Sequence, residues 1–260
     1  MKINANGISI NYQLDGREGA PWLIFSNSLM TNLSMWDEQV AALKDDFRIL
    51  RYDQRGHGGT QATEGAYTFD TLAADVIALM DALGIQRAHF VGISMGGMTA
   101  LLLAEKYRDR FGAIVPCDCG PASTPAGAQQ WKERVDLAAE KGMEALVDVT
   151  VNRWFPPEFL ATKAPVLDKV RGMIKTTPFA GFAGCAAALS DYDLRPGLPG
   201  IANPTLLIVG TKDATVGGIK AINQAVPGSQ VVELEGAGHL SNLEQPGKFA
   251  QSIRDFIKAH

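Results

Sequence analysis

Gly92-Ile93-Ser94-Met95-Gly96 is the stretch on which the reading of this chain turns. An apolar, strand-like run, Ala88-His89-Phe90-Val91, leads into it, and residues 98–107 continue with helical spacing. A Gly-x-Ser-x-Gly between a strand and a helix predicts a tight, strained turn that pushes the serine hydroxyl out at the end of a sheet. Side chains do not fit beside such a turn. Gly92 and Gly96 flank Ser94, and Gly97 adds clearance. The next backbone N–H, that of Met95, would point at a reacting carbonyl oxygen. The same pentapeptide also arises by chance around a passive serine, so its weight comes from its context and from partners elsewhere in the chain.

Outward from the turn, the pattern is one of alternating strands and helices. Residues 3–14 read as two short strands around Asn6-Gly7, a hairpin signal. Trp22-Leu23-Ile24-Phe25 and residues 47–52 read as strands, and residues 33–43 have helical spacing. Residues 68–83 predict a helix whose apolar face is Leu72, Val76, Leu79, Met80 and Leu83, closed by Gly84. Residues 112–116, 205–210 and 230–234 continue the strands, and 247–259 a closing helix. From 121 to 195 helical periodicity persists without strands, and Trp131, Trp154, Phe155 and Phe159 accumulate there. This divides the chain into a core, 1–120 with 196–260, and an inserted helical lid, 121–195. Near-continuous apolar strands joined by helices predict an α/β fold, with a mostly parallel sheet covered on both faces. Active groups in such sheets gather at the carboxyl ends of the strands.

Composition narrows the function. The 260 residues are 46% hydrophobic and 20% charged, enough for a sizeable core and unlike a disordered chain. A net charge of −4 without a basic block argues against nucleic acid as a partner. Three cysteines cannot build a disulfide framework, which points to a reducing, cytoplasmic compartment. Cys117 and Cys119 lack neighbouring histidines and read as buried thiols, with no metal site. The N-terminus lacks the apolar core of a signal peptide, and no run of about 18 apolar residues predicts a membrane span.

A serine hydroxyl needs a base to take its proton. Of the four histidines, His89 lies inside the strand before the turn, His57 reads as serving its own turn, and His260 as a frayed terminus. His239, in Gly236-Ala237-Gly238-His239, follows the last strand on a glycine-rich loop and is the candidate base. The base needs an acid to hold its tautomer. Asp213 follows the strand at 205–209 and gives the chain order serine, acid, histidine. Asp118 also ends a strand and is its rival; Asp193 and Glu235 read as solvated. The oxyanion donors are placed at the Met95 N–H and, in Ser26-Asn27-Ser28-Leu29-Met30, at the Leu29 N–H.

With these residues in hand, the chain resembles the α/β-hydrolase superfamily over nearly its whole length. Asp53-x-Arg55-Gly56-x-Gly58 is a further mark. More narrowly it resembles bacterial 3-oxoadipate enol-lactonases. The matching pieces are Phe25-Ser26-Asn27-Ser28-Leu29, Met35-Trp36-Asp37, Gly92 to Met98, Arg153-Trp154-Phe155-x-Pro157-Glu158-Phe159 and Gly184-Cys185-Ala186-Ala187-Ala188. It departs from lipases and esterases in lacking their His-Gly pair before the oxyanion donor. It departs from the enol-lactonase pattern at Met30, where glycine is common, and after Asp213, where Ala-Thr-Val-Gly-Gly replaces a proline-rich continuation. The resemblance implies an eight-stranded, mostly parallel sheet flanked by helices, and hydrolysis of a small carboxylate-bearing enol-lactone to 3-oxoadipate without a cofactor. The same fold also carries general carboxylesterases, perhydrolase-like enzymes and slow-turnover receptors. A carboxylate calls for arginine, whose planar fork binds it bidentately. Arg134 and Arg153, beside Trp131 and Trp154, are the candidates, each against the plainer reading of a solvated arginine or a tryptophan in the lid core.

Overall fold

Asn6 and Gly7 both take left-handed backbone, with φ of 46° and 74°, so the chain reverses in two residues. The result is the antiparallel pair β1 (Lys2–Ala5) and β2 (Ile8–Gly16). β2 then pairs antiparallel with β4 (Arg48–Tyr52). From there β3 (Trp22–Ser26), β5 (Ala88–Ile93), β6 (Phe111–Cys117), β7 (Leu206–Gly210) and β8 (Gln230–Leu234) join as parallel neighbours. The computed structural model describes residues 1–260 as one eight-stranded sheet in the order β1-β2-β4-β3-β5-β6-β7-β8. Every residue of β6 and β7 is buried, as strands covered on both faces require.

The covering helices are α1 (Asp37–Leu43), α2 (Phe69–Ala82), α3 (Met95–Lys106), α9 (Val216–Ala225), α10 (Ser241–Glu244) and α11 (Pro246–Ala259). α2 begins where the Thr68 side chain accepts the Thr71 N–H, and of its expected stripe Leu72, Val76, Leu79 and Met80 are buried, while Leu83, just past the last helical residue, is only partly so. The stretch read as one helix over 33–43 is a short 3-10 turn, Leu33–Trp36, followed by α1. α9 carries no strong sequence signal, because two glycines in its first turn mask it. No helix is long and apolar enough to cross a membrane.

Between β6 and β7 come α4 (Pro125–Lys141), α5 (Val147–Trp154), α6 (Pro157–Ala161), α7 (Pro165–Thr176) and α8 (Phe179–Ser190). The two ends of this segment meet in an isolated antiparallel bridge, Ala122 with Asp193, which is its only β pairing. Ser123 N–H donates to the Tyr192 carbonyl and Leu194 N–H to that of Pro121, both at 2.8 Å, tying the neck shut. Farther out, α8 presses its backbone on the core. A Cβ on Gly181 would lie 2.0 Å from the Gly56 oxygen, and one on Gly56 2.3 Å from the Gly181 Cα. Gly56 also has φ 74°, so both steric reasons demand glycine there.

The Asp53-x-Arg55-Gly56-x-Gly58 turn organises this corner. Asp53 accepts N–H groups from Leu33 and Gly59 and the Asn11 amide, each at 2.7 Å. Arg55 holds buried Asp75 with two bonds, 2.8 and 2.5 Å. Between them Gln54 reaches back to the Asn27 carbonyl, at the end of β3.

Candidate active site

The turn after β5 is as tight as its sequence demands. β5 ends at Ile93, α3 starts at Met95, and Ser94 between them has φ 54° and ψ −115°. A non-glycine residue holds such backbone only where the surroundings over-determine it. Ser94 N–H donates to the Cys117 carbonyl at 2.8 Å, and Gly96 N–H to that of Asn27 at 3.1 Å. A Cβ on Gly92 would sit 2.1 Å from the Gly96 oxygen, and one on Gly96 2.3 Å from the Ser26 oxygen. The helix begins earlier than residue 98 because these contacts override the poor helix propensity of Gly96 and Gly97.

Met95 is the first residue of α3, so its N–H has no acceptor within the helix. Leu29 lies in the loop after β3, and its N–H enters no backbone hydrogen bond. That loop is latched to the elbow by the Asn27 carbonyl, which accepts both Gly96 N–H and the Gln54 side-chain amide. Met30 takes φ 58°, the left-handed conformation that glycine supplies more easily, and is fully buried.

Asp213 and His239 meet. Asp213 Oδ2 is 3.0 Å from His239 Nδ1, and the Thr215 hydroxyl donates to the same oxygen. With the proton on Nδ1, Nε2 is left as the proton acceptor. Burial alone would raise the Asp213 carboxyl. The His239 ring and the hydrogen bonds from His239 and Thr215 outweigh it and hold the group below its ordinary 3.8. His239 N–H donates to the Trp154 carbonyl at 2.7 Å, and the Trp154 ring stacks on the imidazole, centroids 5.9 Å apart. A side chain at Gly238 would collide with that same carbonyl, at 2.3 Å. Gly238 N–H donates to Glu244 at 2.7 Å. Burial, with Asp213 nearby, pushes the Glu244 carboxyl up to about 7.

The rival acid is otherwise engaged. Asp118 is fully buried, and its two oxygens accept Gly210 N–H at 2.8 Å and the Ser241 hydroxyl at 2.6 Å. Burial, followed by the Asp213 charge, drives its carboxyl well above the carboxylate range. Asp193 is paired with Arg195, and Glu235 is exposed. The other histidines sit elsewhere. His57 is buried with Nδ1 at 3.0 Å from the Arg55 carbonyl. His89 accepts Ala113 N–H at 3.0 Å, filling a register shift between β5 and β6. His260, read as frayed, packs its ring 4.3 Å from that of Phe256.

Ser94, Asp213 and His239 line one cavity of about 600 Å³, together with Leu29 and all four aromatic and arginine candidates, Trp131, Arg134, Arg153 and Trp154. The Arg134 guanidinium lies 4.9 Å over the Trp131 ring, as their helical spacing predicts. Arg153 reaches only the neutral Gln130, at 3.2 Å. Neither arginine is paired with a carboxylate. Burial, with Arg153 opposite, lowers Arg134 to about 10, so it stays charged at neutral pH. Sequence reasoning missed Tyr192 and Arg195 in the wall, and Thr215 on the acid. The first two sit where the segment rejoins the core and follow no periodicity. Thr215 had a signal, the hydroxyl two residues after Asp213. No three His, Cys, Asp or Glu side chains converge as a metal-holding group.

This geometry can be set beside known proteins. A model of the alpha/beta hydrolase fold matches residues 21–246. The chain is 37% identical to 3-oxoadipate enol-lactonase 2 of Acinetobacter baylyi, over 98% of this chain and 96% of that protein. It is 38% identical to 3-oxoadipate enol-lactonase 1 of the same organism, over 100% and 97%. The crystal structure of the enol-lactonase from Burkholderia xenovorans LB400 superposes with a TM-score of 0.95 at 40% identity, over 99% of this chain and 100% of that one. A serine on a glycine-bounded elbow, a sheet in this strand order and likeness running from end to end lead to one conclusion: the chain is a hydrolase of the alpha/beta hydrolase family.

Proposed function

We propose that this protein hydrolyses 3-oxoadipate enol-lactone, a small enol-lactone with an acetate arm, to 3-oxoadipate, through Ser94, His239 and Asp213. The observation that carries the reading is the cavity itself. An ester-opening floor faces two arginines that lack carboxylate partners, in a chain similar along its length to enol-lactonases. Substrate enters with its carboxylate against Arg134 or Arg153 and its ring between Trp131 and Trp154. Ser94 Oγ attacks the lactone carbonyl while His239 Nε2 takes its proton and Asp213 stabilises the imidazolium. The N–H groups of Leu29 and Met95 hold the oxyanion. Collapse breaks the acyl C–O bond, and the ring oxygen leaves as an enol protonated by His239. The chain remains attached to Ser94 as an ester. Water, deprotonated by His239, then releases the carboxylate. The enol becomes the 3-oxo group.

On this reading residues 121–195 are a lid over a core of 1–120 and 196–260, and the enzyme works in the bacterial cytoplasm during aromatic-compound breakdown. No step asks for a metal or organic cofactor. The test is steady-state turnover of the enol-lactone beside a neutral p-nitrophenyl ester and a peracid-forming reaction. Preferred consumption of the enol-lactone, with 3-oxoadipate as product, supports the proposal. Equal or better turnover of the neutral ester favours a general carboxylesterase, of the peracid-forming reaction a perhydrolase-like enzyme, and very slow turnover of all three a slow-turnover receptor.

A further inference from the structure

The proposed reaction uses three loops, and a buried side chain outside it joins two of them. Asp118 closes β6 with φ 46°, in the left-handed region that glycine adopts at less cost than aspartate. Its own N–H is fixed to the Ile208 carbonyl at 2.9 Å. One carboxyl oxygen accepts Gly210 N–H at 2.8 Å, at the last residue of β7, where the loop to Asp213 begins. The other accepts the Ser241 hydroxyl at 2.6 Å, two residues beyond His239. The side chain is fully buried and lies outside the cavity lining. A strained backbone and a buried acid both cost stability. Packing alone would be served by an apolar residue. What the acid adds is two acceptors aimed at the roots of two different loops.

We infer that Asp118 is a positioning residue, which through Gly210 and Ser241 keeps Asp213 and His239 in register without touching substrate. The inference rests on the Ser94-Asp213-His239 reading. The link works through hydrogen bonds. Burial and the neighbouring Asp213 charge both disfavour a negative charge on Asp118, so the link is ascribed to its hydrogen bonds. Asparagine can replace it: its oxygen accepts Gly210 N–H, and its amide donates to the Ser241 oxygen. Alanine can do neither, and misplacing a catalytic group by about 1 Å can cost a hundredfold.

The experiment measures kcat and KM on a neutral p-nitrophenyl ester, which needs the triad but not the arginines. Asp118→Ala should lower kcat about 10- to 100-fold with KM within about twofold. Asp118→Asn should restore kcat to within about fivefold of wild type, and Ser241→Ala, cutting one tether, should fall between them. An Asp118→Ala enzyme with wild-type kcat overturns the inference. So does an Asp118→Asn enzyme as impaired as the alanine variant, because charge would then be what matters. If Asp118→Ala does not fold, Ser241→Ala decides, and an unchanged kcat there is fatal. Ser94→Ala runs alongside: activity in that variant removes the triad reading, and this inference with it. A dead Ser94→Ala beside an unimpaired Asp118→Ala removes this inference alone.

Discussion

At the floor of the cavity, the backbone fixes every group that would handle the ester. Ser94 stands in a strained turn with no room for a Cβ on either side, and Asp213 and His239 leave buried strand ends whose roots are tied to Asp118 and Glu244. At the roof, Trp131 and Arg134 stand on α4, a 17-residue helix of which only Ala138 is buried. Arg153 lies in the last turn of α5 and holds nothing firmer than a glutamine. The floor admits almost no substitution, whereas the roof can change side chains without disturbing a strand. That division lets one fold keep its chemistry while its choice of substrate varies.

The comparison breaks first at Ser94. Replacing it with alanine should remove turnover by roughly 10⁵-fold or more while the melting temperature stays near wild type, since alanine loses one hydroxyl and no packing. A variant with substantial activity would show that the floor does not carry the chemistry. Asp213→Asn should cost about 10⁴-fold in kcat, because an amide cannot hold the imidazole tautomer or stabilise its cation. Asp118→Asn should cost a few-fold. The opposite ranking would move the acid to the end of β6.

Roof variants should behave differently. Replacing the arginine that meets the carboxylate, Arg134 or Arg153, by methionine should raise KM for the enol-lactone about 10- to 100-fold, the worth of a charge-assisted hydrogen bond. A neutral ester of similar size has no carboxylate to lose and should keep its KM. If the two single variants and the double variant all leave the ratio of kcat/KM values unchanged, the carboxylate is held elsewhere.

The smallest effect concerns stability at the edge of the floor. The Glu244 carboxyl titrates near 7 in the folded protein against an ordinary 4.5. Between those values the unfolded chain is already ionised while the folded one is still neutral, so this group draws stability down as pH rises from 4.5 to 7. Glu244→Gln keeps the acceptor for Gly238 N–H and removes the titration. Its melting temperature should match wild type at pH 4 and exceed it by about 2–4 °C at pH 8, a modest figure because the side chain is partly solvated. A gain of equal size at pH 4 would mean packing, not ionisation, is responsible.

The floor was legible in the sequence because its constraints are local. Glycines at 92, 96 and 97 announce the turn, near-continuous apolar strands announce a parallel sheet, and the late glycine-rich loop announces His239. The Asn6-Gly7 hairpin and the α2 stripe were readable for the same reason, since turn chemistry and helical period are written in consecutive residues. Contacts between distant segments were not. Nothing near Asp118 says that Gly210 and Ser241 will occupy its two oxygens. Nothing near Gln54 says that it will reach Asn27, although the Asp53-x-Arg55-Gly56-x-Gly58 pattern marked that turn as special. Trp154 was readable as an aromatic over the site, but its stacking on His239 depends on how α5 crosses the last loop.

The most direct measurement compares kcat/KM for the enol-lactone with that for an enol-lactone of the same ring lacking the acetate arm. On the proposed reading the step at Ser94 is the same for both lactones, so the ratio isolates what an arginine of the roof would contribute. The account predicts a preference of about 10- to 100-fold for the carboxylate-bearing lactone in the wild-type enzyme, lost when the arginine that binds it is replaced by methionine. Equal values for the two lactones in the wild-type enzyme would contradict it.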